Sequence, residues 1–161
     1  MRIGVISDTH NRLPNVTRIV ALLNEAGVDR VVHTGDITTA KTLEVLAGLE
    51  APLFGVYGNN DVERASLDEA ARRFGMHFEE APLRLSWADR QLVVVHDPRD
   101  LESQGDADWD IALHGHTHLR SEVRTGGRLV FNPGECAGHL KGHNAIGLVD
   151  LPTLETEILL F

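Results

Sequence analysis

The first half of the chain alternates short apolar runs with segments in which apolar residues recur every three or four positions. The apolar run at residues 3–6 predicts a buried strand, and residues 30–34, around Val31 and Val32, and 52–56 predict two more strands. The segments that follow them predict amphipathic helices, because a repeat of about 3.6 residues places such side chains on one face. This alternation of strands and helices is typical of an α/β fold.

Individual residues mark the expected helix ends. Gly27 follows the first periodic segment and Gly75 follows the third, and glycine commonly ends a helix because it adopts left-handed backbone angles without strain. Ser66 with Glu69 predicts a capping box at the start of the third helix. Three helices are therefore expected in this half of the chain.

The second half is rich in predicted strands, several of them joined by tight turns. Ala88-Asp89-Arg90 and Gly126-Gly127 are expected to form hairpin turns between neighbouring strands. The expected strands are residues 83–87, 91–95, 111–113, 121–124, 128–131, 145–150 and 155–160. We expect one domain, residues 1–161, in which the two strand-rich halves pack together as a layered sandwich.

Charge and composition narrow the classes of function. The chain has 15 basic and 24 acidic residues, and its net charge of −9 argues against binding nucleic acid through bulk charge. An anionic substrate would need local positive charge, which bound metal ions can supply. The single cysteine, Cys136, allows no disulfide within the chain and is expected to be inert. Since no signal peptide or membrane span is recognisable, we expect a cytoplasmic protein without membrane contact.

Polar clusters follow five of the predicted strands. In an open α/β sheet ligands bind beyond the carboxyl ends of the strands, so these clusters are expected to meet in one crevice. Gly35 and Gly58 permit tight turns that aim the next side chain inward. The clusters are Ser7-Asp8-Thr9-His10, Gly35-Asp36, Gly58-Asn59-Asn60-Asp61, His96-Asp97 and His114-Gly115-His116-Thr117-His118.

The residue types in these clusters predict metal binding. Carboxylates, imidazoles and an asparagine carbonyl together suit a borderline divalent ion such as Mn²⁺, Fe²⁺, Ni²⁺ or Zn²⁺. Seven candidate ligands are too many for one four-coordinate zinc ion, but they suit two metals about 3.5–4 Å apart that share a carboxylate. In extended segments Asp8 and His10 would point the same way, as would His116 and His118.

The ordered motifs D-x-H, G-D, G-N-x-D, H and G-H-x-H resemble those of the calcineurin-like metallophosphoesterase superfamily, especially its small prokaryotic phosphodiesterase branch. The motifs run from Asp8 to His118, and Asn132-Pro133-Gly134 is similar to a later loop of that branch. The resemblance implies an α/β fold, a layered α-β-β-α sandwich of two mixed sheets flanked by helices. It also implies two divalent metal ions, with Mn²⁺ as the first choice, and a small phosphorylated substrate.

Carried over position by position, the resemblance implies a role for each motif. The first metal would be held by Asp8, His10 and His118. The second would be held by Asn59, His96 and His116, with Asp36 bridging the two. A water between the metals would lose a proton and attack phosphorus in line. The residues expected to take part in catalysis are Asp36, Asn59, His96, Asn60 and Asp61.

Several positions depart from the family pattern. Asn60 stands where many members have a histidine that assists the leaving group, and asparagine cannot act as an acid. Asp61 fits a variant of the motif and is assigned a supporting role. Asp97 stands where the family usually has glycine, and its charge could repel an anionic substrate. Glu135 and His139 follow a loop in which the family often has serine and a nearby arginine, so substrate contacts there are expected to differ.

The remaining histidines are expected to lie outside the metal site. His33 falls within a predicted strand and is expected to pack near the site without binding metal. His114 precedes the G-H-x-H motif and is not counted as a ligand. His77, His139 and His143 are expected to be surface residues, although His139 or His143 could reach the substrate.

The leading hypothesis is an enzyme that hydrolyses phosphodiesters, with monoesters as further substrates. An alternative on the same fold is a catalytically weak scaffold that binds proteins, as in the scaffold subunit of the retromer complex. The presence of all seven expected ligands favours the enzyme. A metal-free nucleotide-binding domain is disfavoured, because no glycine-rich loop follows the first strand. The natural substrate, the physiological metal and a homo-oligomeric state stay open.

Overall fold

The computed structural model describes residues 1–104 and 108–161. These residues form three α-helices, one 3₁₀ helix and eleven strands. The helices are α1 (Leu13–Ala26), α2 (Ala40–Leu46), α3 (Arg64–Arg73) and the 3₁₀ helix (Pro98–Gln104). The strands are β1 (Arg2–Ile6), β2 (Arg30–His33), β3 (Leu53–Val56), β4 (His77–Glu79), β5 (Leu83–Trp87), β6 (Arg90–Val94), β7 (Ile111–Leu113), β8 (Ser121–Thr125), β9 (Arg128–Asn132), β10 (Ala145–Asp150) and β11 (Thr156–Leu160).

Both sheets are mixed, as the resemblance implies. The six-stranded sheet has the order β11-β10-β1-β2-β3-β4, in which β1 to β4 are parallel and β10 and β11 pair antiparallel. The five-stranded sheet has the order β5-β6-β7-β9-β8. In this sheet β6, β7 and β9 are parallel, while β5 and β8 are antiparallel edge strands. Parallel strands at the centre of each sheet give several loops that leave at the same edge.

The apolar core lies on both faces of the six-stranded sheet. Ile3 and Val5 of β1 point towards the second sheet and pack in one cluster with Leu113 and Phe131. Ile6 belongs to a second cluster with the apolar faces of the α-helices. The alternation of side chains along a strand therefore buries β1 between the two layers.

The outer face of the five-stranded sheet has a smaller covering. Val93 and Ala112 form a third cluster there, with Leu101 of the 3₁₀ helix and Trp109 packed against them. In the described part of the chain the flanking helix on this side is a 3₁₀ helix, whereas α1, α2 and α3 contribute to the cluster on the other outer face.

No helix among the described residues is both long and apolar enough to cross a bilayer.

The turns predicted at glycine residues are confirmed, whereas one predicted helix cap is wrong. Gly27 caps α1 with φ of 60°, and Gly126-Gly127 has the two positive φ angles of a tight hairpin turn. The capping box at Ser66 is wrong, because α3 begins two residues earlier and the Ser66 hydroxyl donates to Glu63 O. Strand β4 was not expected, since three half-exposed residues at a sheet edge carry little hydrophobic signal.

Candidate metal centre

Five loops that follow parallel strands meet at one edge of the sandwich. Three leave the adjacent strands β1, β2 and β3 of the first sheet, and two leave the neighbouring strands β6 and β7 of the second. Because the sheets pack face to face, these loops bring together residues that are up to 110 positions apart, as from Asp8 to His118. The predicted ligands in this cluster are Asp8, His10, Asp36, Asn59, His96, His116 and His118.

One group of the cluster consists of Asp8, His10 and His118. Asp8 Oδ1 lies 3.6 Å from His118 Nε2 and 3.9 Å from His10 Nε2. The two imidazole Nε2 atoms are 3.4 Å apart, and their rings stack with centroids 5.1 Å apart. Three ligand-type atoms therefore face a common point, and these are the residues predicted for the first metal.

A second group consists of Asn59, His96 and His116. Asn59 Oδ1 lies 3.0 Å from His96 Nε2 and 3.1 Å from His116 Nδ1. His116 Nδ1 and His96 Nε2 are 3.3 Å apart. His96 Nδ1 donates to the carbonyl oxygen of Thr34 at 2.9 Å, so its proton is on that nitrogen and Nε2 is free to bind a cation. These are the residues predicted for the second metal.

Asp36 lies between the two groups. Its Oδ2 is 3.5 Å from His10 Nε2 of the first group and 3.4 Å from His96 Nε2 of the second. Burial would raise the pKa of Asp36, but the adjacent His96 imidazole and the hydrogen bonds donated by the Asn60 side chain and backbone outweigh it and hold the pKa below its ordinary value. The carboxylate is thus ionised at the position where a bridging ligand is predicted.

The cluster fits a metal ion by its chemistry and by an unsatisfied oxygen. Asp8 Oδ1 is buried and has no hydrogen-bond partner among the described residues. Burial raises the pKa of Asp8 above its ordinary value, although the Ser7 hydroxyl and His118 oppose this. A buried carboxylate oxygen without a partner is costly, and a cation at this point would satisfy it. Ligand atoms of Asp8, His10 and Asp36 lie within 4.8 Å of one another, which suits a shared ion.

The backbone aims several of these side chains by left-handed turns. Positive φ angles occur at five of the predicted ligands: 51° at Asp8, 42° at His10, 59° at Asp36, 67° at His116 and 58° at His118. Such angles cost a non-glycine residue about 1–3 kcal/mol and are typical of functional sites. The expectation of extended segments is therefore wrong. Asp8 and His10 still meet in the first group, whereas His116 lies in the second group and His118 in the first.

The two glycines before the ligand loops serve different purposes. Gly35 has φ of 107°, a conformation that favours glycine, so the expected tight turn is present there. Gly58 is required for space instead, because a Cβ atom there would lie 2.6 Å from the backbone nitrogen of Asp36. The close approach of Gly58 allows the loops of β2 and β3 to meet.

Asp61 holds these two loops together. Its carboxylate accepts hydrogen bonds from the backbone N–H groups of Asp36 at 3.0 Å, Thr38 at 2.6 Å and Gly58 at 2.7 Å. The residue is 2% exposed, so water cannot replace these bonds. Asp61 therefore supports the site structurally, because it fixes the backbone of the loop that carries Asp36 against the loop that begins at Gly58.

Removing the Asp61 carboxylate is expected to destabilise the protein. The Asp61→Ala variant leaves two buried N–H groups and one part-buried N–H group without partners and should lower the free energy of unfolding by about 3 kcal/mol. Urea unfolding followed by circular dichroism measures this loss. Glu69→Ala, at an exposed position of α3, is the control and should change little. A loss for Asp61→Ala no greater than for the control would contradict this role.

Glu135, on a sixth loop, was not predicted to act in the site. This loop follows β9, the parallel neighbour of β7, so its position at the site depends on the order of strands in the sheet. Glu135 is fully buried, and its Oε2 accepts a hydrogen bond from His118 Nδ1 at 2.9 Å. Burial would raise the pKa of Glu135, but bonds from the Leu140 backbone and from His118 hold it below its ordinary value. The carboxylate fixes the proton of His118 on Nδ1 and leaves Nε2 free.

Replacing Glu135 by glutamine is expected to weaken metal binding by about 10–100-fold. An amide can accept at only one end, so either His118 Nδ1–H or the Leu140 N–H would face an NH₂ group. Isothermal titration of the metal-free protein with Mn²⁺ measures the affinity. Glu44→Gln, at an exposed position of α2, is the matched control. Equal Mn²⁺ affinities for the two variants would show that Glu135 does not support metal binding through His118.

His33 and His114 lie beside the cluster. The His33 Nε2 atom is 3.0 Å from the Thr9 hydroxyl, and the Gly35 N–H donates to His33 Nδ1, so both ring nitrogens are occupied. Burial lowers the pKa of His33 to about 3 and keeps the ring neutral. His114 is buried as well, and its Nδ1 donates to the Gly115 carbonyl at 3.1 Å. These contacts agree with the expectation that neither residue is a ligand.

A cavity of about 600 Å³ opens next to the second group. Asn59, His96 and His116 line it, together with Asp97 and Arg99. The guanidinium of Arg99 donates hydrogen bonds to the Asp97 carboxylate, which lowers the pKa of Asp97 and neutralises its charge. The expected repulsion of an anionic substrate by Asp97 is therefore offset by a residue two positions away.

Comparison with known proteins identifies the superfamily of this chain. The sequence-family model that describes the calcineurin-like phosphoesterase superfamily domain matches residues 1–153 of this chain. The chain belongs to this superfamily. Its similarity to individual phosphoesterases extends over almost the whole of both chains.

Two curated relatives and one solved structure illustrate the membership. The phosphodiesterase MJ0936 of Methanocaldococcus jannaschii is 33% identical over 154 residues, which cover 93% of each chain. The phosphodiesterase YfcE of Escherichia coli strain K12 is 25% identical over 166 residues, covering 93% of this chain and 88% of YfcE. A solved structure of an archaeal phosphodiesterase superimposes with a TM-score of 0.92 at 30% identity and covers all of both chains. This member of the superfamily is thus a homologue of phosphodiesterases, with candidate metal-binding histidine and aspartate groups.

The only cysteine of this phosphoesterase lies in the core beside the site. Cys136 is fully buried, its Sγ donates to the Ala145 carbonyl at 3.3 Å, and burial raises the pKa of the thiol to about 12. Because the thiolate is the reactive form, we expect a thiol reagent to label Cys136 at pH 8 only as fast as the protein unfolds. Labelling with Ellman's reagent in buffer and in urea measures the two rates. Equally rapid labelling in both would contradict the buried position.

Proposed function

We propose that this protein hydrolyses phosphodiesters with two divalent metal ions, one held by Asp8, His10 and His118 and the other by Asn59, His96 and His116. The single observation that supports this most is the position of Asp36 Oδ2, within 3.5 Å of a ligand-type atom of each group. Two groups of nitrogen and oxygen donors that share a carboxylate suit a pair of ions such as Mn²⁺. The similarity to phosphodiesterases supports the same reaction class.

When bound, such metals supply a nucleophile at neutral pH and neutralise the phosphoryl oxygens. The residues of this chain hold and orient the site. The Asn60 backbone N–H donates to Asp36 Oδ1 at 2.9 Å, and the Asn60 amide donates to Oδ2 at 2.8 Å. Asn60 therefore acts on the bridging carboxylate in this proposal, and it supplies no proton to the leaving group.

The substrate in this proposal is a small phosphorylated molecule that enters the cavity at the second group. Its walls carry Arg64 and Arg99, each paired with a carboxylate, Glu80 or Asp97. Because these pairs leave little net positive charge, binding of the phosphate depends on the metals rather than on the arginines. This supports a strict dependence of substrate binding on metal.

The test is the metal dependence of hydrolysis by the full chain. Protein stripped of metal and reloaded with Mn²⁺, Fe²⁺, Ni²⁺ or Zn²⁺ is assayed with bis-p-nitrophenyl phosphate and a panel of natural phosphate esters. The proposal expects turnover with at least one ion and none after chelation. If the loaded protein leaves every ester intact, the proposal fails, and a partner that co-purifies with the inactive protein would support the scaffold alternative.

A further inference from the structure

A third histidine approaches the first group from the loop between β9 and β10. The imidazole of His139 stacks on that of His118, with centroids 5.2 Å apart and planes 18° apart. Its centroid is 5.1 Å from that of His10. One ring nitrogen of each of the three residues lies within 4.8 Å of those of the other two. Metal–nitrogen bonds are about 2.0–2.1 Å long, so these nitrogens are near enough to share one ion once the stacked rings turn to point their nitrogens at it.

The loop that carries His139 is anchored on both sides. The Cys136 N–H donates to the Ser7 carbonyl at 3.1 Å, and the Asn15 amide donates to the Cys136 carbonyl at 2.7 Å. Glu135 accepts a hydrogen bond from the Leu140 N–H, and its Oε2 lies 3.7 Å from His139 Nδ1. The loop is therefore hydrogen-bonded to the segment that follows β1, to α1 and to the carboxylate that orients His118. These ties hold His139 beside the first group although its side chain is 57% exposed.

The two groups differ in what lies beside them. Asn59, His96 and His116 of the second group line the cavity of about 600 Å³. None of the first group, which is fully described, is among the residues lining that cavity. The second group is thus open to a substrate, whereas His139 lies over the first.

We propose that His139 is a further ligand of the first metal, beside Asp8, His10 and His118. This inference rests on the proposed dinuclear centre and adds a residue that the family motifs do not include. Three imidazoles form a donor set that suits ions such as Fe²⁺, Ni²⁺ and Zn²⁺. The first metal is then the more tightly held of the two, and the second is the one that meets the substrate.

Binding of Co²⁺ to the full metal-free chain tests the role of His139 without measuring activity. Wild type, His139→Ala and His143→Ala are titrated calorimetrically, and the visible spectrum of each loaded protein is recorded. His143 is an exposed histidine of the same loop and serves as the matched control. We expect two ions per chain for wild type and for His143→Ala. His139→Ala should lose at least about tenfold in affinity at one site, and its Co²⁺ absorption should strengthen because the ion has fewer ligands.

Each other outcome has a distinct meaning. Equal affinities and spectra for wild type and His139→Ala would overturn the inference and leave the metal centre intact. A higher KM for His139→Ala with unchanged Co²⁺ binding would also overturn it, because His139 would then contact the substrate instead. Failure of wild type itself to bind two ions would refute the proposed function, and the inference with it.

Discussion

The Asp36→Asn variant is expected to lose phosphodiester hydrolysis by about 10³-fold or more. Asp36 Oδ2 lies within 3.5 Å of both metal-binding groups, and an amide is neutral and presents NH₂ donors on one side. It also cannot accept both hydrogen bonds that Asn60 donates to the carboxylate. The initial rate with bis-p-nitrophenyl phosphate at saturating Mn²⁺ measures the effect, and elemental analysis should show fewer bound ions.

The matched control for Asp36→Asn is Asp89→Asn. Asp89 is exposed in the turn between β5 and β6 and has φ of 60°, a conformation that asparagine also tolerates. Its exchange should leave activity and metal content unchanged. If Asp36→Asn kept the same activity as Asp89→Asn, Asp36 could not be a bridging ligand.

Removing the imidazole of His116 is expected to reduce hydrolysis by about 10²-fold or more and to remove the second metal. His116 Nδ1 lies 3.1 Å from Asn59 Oδ1 and 3.3 Å from His96 Nε2, so its imidazole is the donor that this loop brings to the second group. Its side chain is 35% exposed, and its loss leaves no buried hole. The metal content after gel filtration and kcat with Mn²⁺ measure the two effects.

Two variants separate the imidazole of His116 from its backbone conformation. His116 has φ of 67°, which strains alanine but suits glycine. His116→Ala and His116→Gly should therefore lose metal and activity equally, while His116→Gly keeps the thermal stability of wild type. His77→Ala, at an exposed position of β4, is the control for histidine removal. If His116→Gly were active and His116→Ala were not, the loss of activity would come from backbone strain and not from the loss of a metal ligand.

The position of the cluster could be predicted because of a property of parallel strands. Strands β1, β2 and β3 end at one edge of their sheet, and polar residues directly after each apolar run must then lie together. Each strand contains an apolar stretch, and the polar cluster that follows it makes the strand end visible in the sequence. For the same reason, His96 and His116 lie together after the parallel strands β6 and β7.

Other parts of the site could not be predicted, because they depend on tertiary contacts. The partnership of Glu135 with His118 requires β9 to lie beside β7, and the sequence between them does not specify that order. The left-handed conformation of the ligand loops arises where the two sheets meet, and aspartate and histidine carry only a weak local preference for it. The position of His139 over His118 depends in turn on the anchoring of its loop by Cys136 and Glu135.

Crystals of the full chain grown with Mn²⁺ offer the most direct test of the dinuclear centre. Anomalous diffraction data locate each ion independently of any assay. If Asp36 bridges two metals, two anomalous peaks are expected about 3.5–4 Å apart, one on each side of its Oδ2. Well-ordered loops around Asp36 with no peak, or with a single peak away from this carboxylate, would contradict this bridging role.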